Sequence, residues 1–195
     1  MRIGIFGGSF NPIHNGHTAL AGYICDCGLT DEVWFMVSPQ NPFKVNASLL
    51  DEDVRLEMAR KAVEDDERLK ACDFEFHLPR PSYTSVTFCA LQEAFPEHTF
   101  VLIIGEDNWD VFPYWHEADF LMQNFPILVY PRSAENAEEH SFDPKDATDV
   151  LFLADAPLLP ISSTQIREAV AAGDDISALV CPAVEEQIRN QHLYL

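Results

Sequence analysis

The chain has 195 residues, 47% of them hydrophobic, and 32 acidic against 12 basic side chains give it a formal charge of −20. That length suits a single domain, residues 1–195, with one substantial core. The apolar content excludes wholesale disorder, and no apolar run is long enough for a membrane span. So acidic a chain offers no basic face to nucleic acid, and an anionic ligand has to be held by a few local cations or a divalent metal.

In chain order, residues 2–6 form an apolar run that predicts a buried strand ending in a Gly7-Gly8 turn. An Ala/Leu-rich helix follows over 18–23, with Asn15 as an acceptable N-cap. Strands are predicted at 33–37, 72–76, 100–104, 127–130 and 150–153. Helical spacing marks 52–63, capped by Asp51, and 85–95, stopped before Pro96. Ser163 can cap a helix over 164–172 that Gly173 ends, and Pro182 can open a last helix to about 190. Segment 133–149 is polar and acidic and reads as a solvated loop.

Helices alternating with strands too apolar to have a wet face predict an α/β fold. It is single-domain and Rossmann-like: a doubly wound, mainly parallel sheet with helices on both faces. Ligands in such sheets bind at the carboxyl ends of the strands. Gly7, Ser38-Pro39, Gly105 and Pro131 all follow strand ends, so the polar residues after them should meet on one rim. Five cysteines without a C-x-x-C pair read as reduced thiols, and no zinc pattern arises. The start lacks a signal-peptide pattern, which predicts a cytoplasmic location.

Chemistry concentrates in the first seventeen residues. Glycines let backbone N–H groups approach an anion, and a helix N-terminus adds roughly half a positive charge. Two imidazoles, His14 and His17, stand at the same place. That grouping suits a phosphate gaining negative charge in a reaction. At the other end of the chain, Ser162, Ser163 and Thr164 open a helix with Arg167 one turn in, and Arg167 can bind two phosphate oxygens at once.

These stretches resemble the nucleotidylyltransferase superfamily. Gly8-Ser9-Phe10-Asn11-Pro12 with His14-Asn15-Gly16-His17 is similar to its glycine turn and H-x-G-H motif, and Ile161 to Arg167 to its I-S-S-T-x-x-R motif. Four more stretches resemble its bacterial nicotinate mononucleotide adenylyltransferase branch: Pro39 to Lys44, Ser82-Tyr83-Thr84, Gly105 to Asp107, and Trp115, with Trp109 nearby as a competing assignment. Two departures stand out: Ser9 and Asn11 replace the commoner Thr and Asp, and Ser85-Val86-Thr87 lacks an acidic residue usual after S-Y-T.

The resemblance implies transfer of AMP from ATP to nicotinate mononucleotide without a covalent intermediate, with Mg2+ carried on the ATP and no dedicated protein metal site. His14, His17, Lys44 and Arg167 would be catalytic. Gly7, Gly8, Ser9, Phe10, His17, Gly105, Asp107, Ile161, Ser162, Ser163, Thr164 and Arg167 would meet ATP. Ser9, Lys44, Ser82, Tyr83, Thr84 and Trp115 would meet the acceptor. The alternatives are a sibling adenylyltransferase using nicotinamide mononucleotide or phosphopantetheine, a cytidylyltransferase, or a nucleotide-binding regulator without catalysis. The sequence leaves open whether the chain is a monomer or a homo-oligomer.

Overall fold

The structure is a computed structural model that describes residues 1–39, 49–132, 149–158 and 160–195. Lys44 and the acidic segment 133–148 lie outside the described residues. Six strands are present: β1 (Arg2–Gly8), β2 (Glu32–Val37), β3 (Leu69–Cys72), β4 (Thr99–Gly105), β5 (Ile127–Tyr130) and β6 (Val150–Phe152). They form one sheet in the order β3-β2-β1-β4-β5-β6, and every neighbouring pair is parallel. The chain runs outward from β1 through β2 to β3, then returns to lay β4 on β1's other side. The order therefore reverses between β1 and β4, which is where sheets of this kind open a crevice.

Strand alternation divides the interior into two cores. Ile3 and Ile5 point to one face with Leu102 and Ile104; Phe6, Phe35, Val101 and Ile103 point to the other. Helices α1 (Asn15–Asp26), α2 (Glu52–Ala62), α6 (Ser163–Ala172) and α7 (Pro182–Asn190) cover the Phe6 face, and α3 (Thr84–Ala94), α4 (Glu106–Trp109) and α5 (Ala118–Asn124) the Ile5 face. No helix among the described residues is long and apolar enough to cross a membrane.

Several boundaries differ from the sequence reading. Gly7 and Gly8 complete β1 instead of forming the turn. The bend comes at Phe10, whose φ of 45° is left-handed. Gly8 is needed all the same, because a Cβ there would lie 2.9 Å from the Phe10 ring. The cap of α1 is His14, not Asn15, and the cap of α6 is Ser162, not Ser163; the Ser162 hydroxyl accepts from the Gln165 N–H at 3.2 Å. Residues 74–77 form a 3-10 turn after β3 where a strand was predicted. A strand would put Phe74 and Phe76 on the same face, whereas the turn sends them to opposite cores. Residues 106–109 and 118–124 are helical, though no periodicity announced them. Burial of Trp109, Ala118, Leu121 and Phe125 sets those two short elements.

Candidate active site

At the carboxyl end of β1 the chain turns through residues 9–13 into α1, and the two motif histidines stand at that helix start. Their rings stack, 3.6 Å between centroids at 23°. The backbone N–H of His14 donates to Nδ1 of His17 at 3.2 Å. Nδ1 is thereby an acceptor, so the neutral His17 ring carries its proton on Nε2. Phe6 and Phe10 meet the His17 ring edgewise at 5.7 and 5.1 Å.

The rings of Phe6, His14 and His17 wall a cleft of about 220 Å³. Its lining includes Phe6, His14, His17, Tyr130, Arg132, Ile161 and Ser162. Arg132, just past β5, was not singled out from the sequence, although the position of Pro131 at a strand end placed it on the shared rim. Its guanidinium lies over the Tyr130 ring at 5.5 Å, and its Nε donates to Asp107 at 3.1 Å. Asp107 belongs to α4, which starts where β4 ends. The pair therefore ties two strand ends together beside the histidines. Gly105 leaves room for it, since a Cβ there would sit 2.5 Å from Asp107 Oδ1 and 2.8 Å from Arg132 Nε.

Both histidines are held neutral. Burial pushes the His14 pKa down to about 4, and the charge of Arg132 adds to this. Burial, then His14, then Arg132 keep His17 well below the usual range. Between pH 6.5 and 4 the unfolded chain holds a proton on His14 that the folded chain refuses, so stability falls on acidification by about 1.4 kcal/mol per pH unit from this residue. The expected result is that urea unfolding at pH 7.5 and pH 5.0 shows a loss about 2 kcal/mol smaller in His14→Gln than in the parent protein. Equal losses would mean that His14 is not buried in its neutral form.

The C-terminal motif divides its labour. Ile161 and Ser162 face the cleft. Ser163 Oγ donates to the Pro12 carbonyl at 2.8 Å. Arg167 donates to the Asn11 carbonyl at 2.8 Å and to Thr164 Oγ1 at 3.0 Å. Two of the groups assigned to phosphate thus dock α6 onto the loop after β1, and Thr164 lies exposed beside them.

Three of the expected acceptor residues, Ser82, Tyr83 and Thr84, stand at the start of α3. Tyr83 caps that helix and stacks on His116 at 4.5 Å; Ser85 Oγ lies 3.0 Å from His116 Nδ1. His116, the neighbour of Trp115, was also missed from the sequence. It joins the Ser82-Tyr83-Thr84 stretch to the Trp115 stretch. Trp109 is fully buried in the core, whereas Trp115 is partly exposed against Phe112.

The profile of the cytidylyltransferase-like family matches residues 5–169. A protein of Bacteroides fragilis named probable nicotinate-nucleotide adenylyltransferase is 48% identical over 190 residues, spanning 97% of this chain and 92% of its own length. One of the same name from Cytophaga hutchinsonii is 43% identical over 194 residues, spanning 100% and 98%. Among solved structures, the nicotinic acid mononucleotide adenylyltransferase of Plasmodium falciparum, complexed with NaAD, superposes with a TM-score of 0.78. It is 21% identical and covers 99% of this chain and 97% of that one, a likeness of fold.

Proposed function

The chain belongs to the cytidylyltransferase-like family and, within it, to the nicotinate-nucleotide adenylyltransferases, and we propose that it transfers the adenylyl group of ATP to nicotinate mononucleotide. The product is the deamido form of NAD, and pyrophosphate is released. The observation that carries this reading is the stacked, neutral His14–His17 pair lining one cleft with Arg132 at the β1–β4 switch.

An oxygen of the acceptor's 5'-phosphate attacks the α-phosphorus of ATP, and the bond from that phosphorus to the bridging oxygen of the β-phosphate breaks. No covalent enzyme intermediate is needed, because direct transfer asks mainly for alignment and charge stabilisation. His17 offers its Nε2–H to an α-phosphate oxygen. Arg132 lines the same cleft and receives charge that moves toward the leaving pyrophosphate. Lys44 and Arg167 are assigned to the phosphates by resemblance. Mg2+ enters as part of the ATP and offsets triphosphate charge. Among the described residues no group of three or more His, Cys, Asp or Glu side chains converges on one point.

The test is pyrophosphate release with ATP and Mg2+, offering nicotinate mononucleotide, nicotinamide mononucleotide and phosphopantetheine separately. We expect the first to be used with a kcat/KM at least tenfold above the second. Equal use of both pyridine nucleotides removes selectivity from the Tyr83–Thr84 corner. Turnover with phosphopantetheine alone overturns the choice of acceptor.

A further inference from the structure

Arg55, on α2, is 1% exposed, and it stands outside every motif discussed so far. Its guanidinium spreads over four backbone carbonyls. Nε donates to Leu50 at 2.9 Å, Nη1 to Ser9 at 2.6 Å and to Ser38 at 2.9 Å, and Nη2 to Pro39 at 3.3 Å. A buried cation is costly unless its surroundings solvate it. Here the solvation is peptide oxygen from three separate segments: the loops leaving β1 and β2, and the entry to α2. Planar fork geometry makes that possible, since the donors diverge at fixed angles.

Two further observations show what the fork holds. Phe10, next to Ser9, sits at a φ of 45°, which is unfavourable for a bulky side chain and persists only where its surroundings impose it. Arg55 grips the carbonyl before Phe10 and Arg167 grips the carbonyl after it, at Asn11. Ser38 is also gripped twice. Its carbonyl accepts from Arg55, while its hydroxyl donates to Glu75 at 2.9 Å. The other oxygen of Glu75 accepts from Thr87 Oγ1 in α3 at 2.9 Å. A continuous chain of hydrogen bonds therefore runs from α3 through Glu75, Ser38 and Arg55 to Ser9. It joins the start of α3, where Tyr83 and Thr84 are expected to meet the acceptor, to the loop bearing Ser9, which is expected to meet both substrates.

We propose that Arg55 is a positioning residue for the acceptor nucleotide, setting Ser9, after β1, at one fixed spacing from Ser38 and Pro39, after β2, so that the residues expected to meet that substrate are held in one frame. This inference rests on the proposed adenylyl transfer. Lysine keeps the charge but presents its donors from a single nitrogen, so it cannot serve four divergent carbonyls. In Arg55→Lys, assayed well below its own Tm, the KM for nicotinate mononucleotide should rise about tenfold and kcat should fall. The KM for ATP should rise by no more than about threefold, because Arg167 and Ser163 of α6 still hold the loop after β1 at Asn11 and Pro12, whereas the Ser38 and Pro39 carbonyls lose Arg55. A lowered Tm with both KM values unchanged overturns the proposal, and so does an equal rise in both. Should Arg55→Lys fail to fold, Ser38→Ala cuts the same chain beside Arg55 without touching its carbonyls. It should raise the acceptor KM about threefold, and no rise overturns the proposal. If the parent protein turns over no pyridine nucleotide, the functional reading has failed. The Arg55 frame is then read by hydrogen exchange at residues 8–12 and 37–39, which should quicken about tenfold in Arg55→Lys. Unchanged exchange overturns the frame itself.

Discussion

Replacing His17 by alanine is expected to lower kcat by about two to three orders of magnitude while changing KM for ATP only a few-fold. The reason lies in where the proton of that ring sits. Nδ1 accepts from the His14 backbone, so Nε2–H is the group offered to the cleft. An N–H aimed at an oxygen that gains charge in the transition state contributes little to ground-state binding and much to rate; removing one such donor costs on the order of 10²–10³. Burial, then neighbouring His14 and the charge of Arg132, hold the ring neutral, and the edges of Phe6 and Phe10 fix its plane. Little reorganisation is then needed as charge develops. Steady-state kinetics with saturating acceptor will separate the two parameters. A protein with His17→Ala that keeps kcat within threefold of the parent would sink the role given to this residue. A thermal melt on the same sample confirms that the α1 start survives the change.

Arg132→Ala is expected to reduce kcat/KM for ATP by about ten- to a hundredfold, with Arg132→Lys recovering part of the loss. In a chain of charge −20 a triphosphate meets long-range repulsion, so each cation in the cleft carries more weight. The change has a second consequence with a definite sign. Arg132 is one of the causes that lower both histidines. Without it their pKa values rise, and the acid limb of the pH profile of kcat/KM should move to higher pH. Asp107 also loses its ion-pair partner on the cleft wall. Measured profiles that superimpose, with unchanged kcat/KM, would place Arg132 outside the reaction.

Much of this architecture was legible before any coordinates. The apolar runs marked five of the six strands to within a few residues; the third, expected at 72–76, lies at Leu69–Cys72. Gly173 and the Pro182 start were read correctly because their conformational requirements are local. The misread stretches had no such local signature. Residues 74–77 alternate like a strand, but two cores compete for Phe74 and Phe76, and the buried Glu75 needs Ser38 and Thr87, residues distant in sequence. The short helices after β4 are amphipathic over too few residues to show a period.

The site divides along the same line. The grouping of contiguous residues could be read directly: His14 and His17 belong to one helix start, and Ile161 to Arg167 to another. Arg132, His116 and Arg55 could not. Arg132 becomes part of the cleft because β5 lies beside β4, which brings Asp107 to it. His116 matters because α3 packs next to the turn that bears it, and Arg55 because β1, β2 and α2 converge. An isolated arginine in sequence is indistinguishable from a solvated one. Periodicity and local backbone preference act over a few residues and therefore determine elements and motifs, whereas a partner 46 positions away, as Ser9 is from Arg55, is chosen only when strand order and helix packing close the distance.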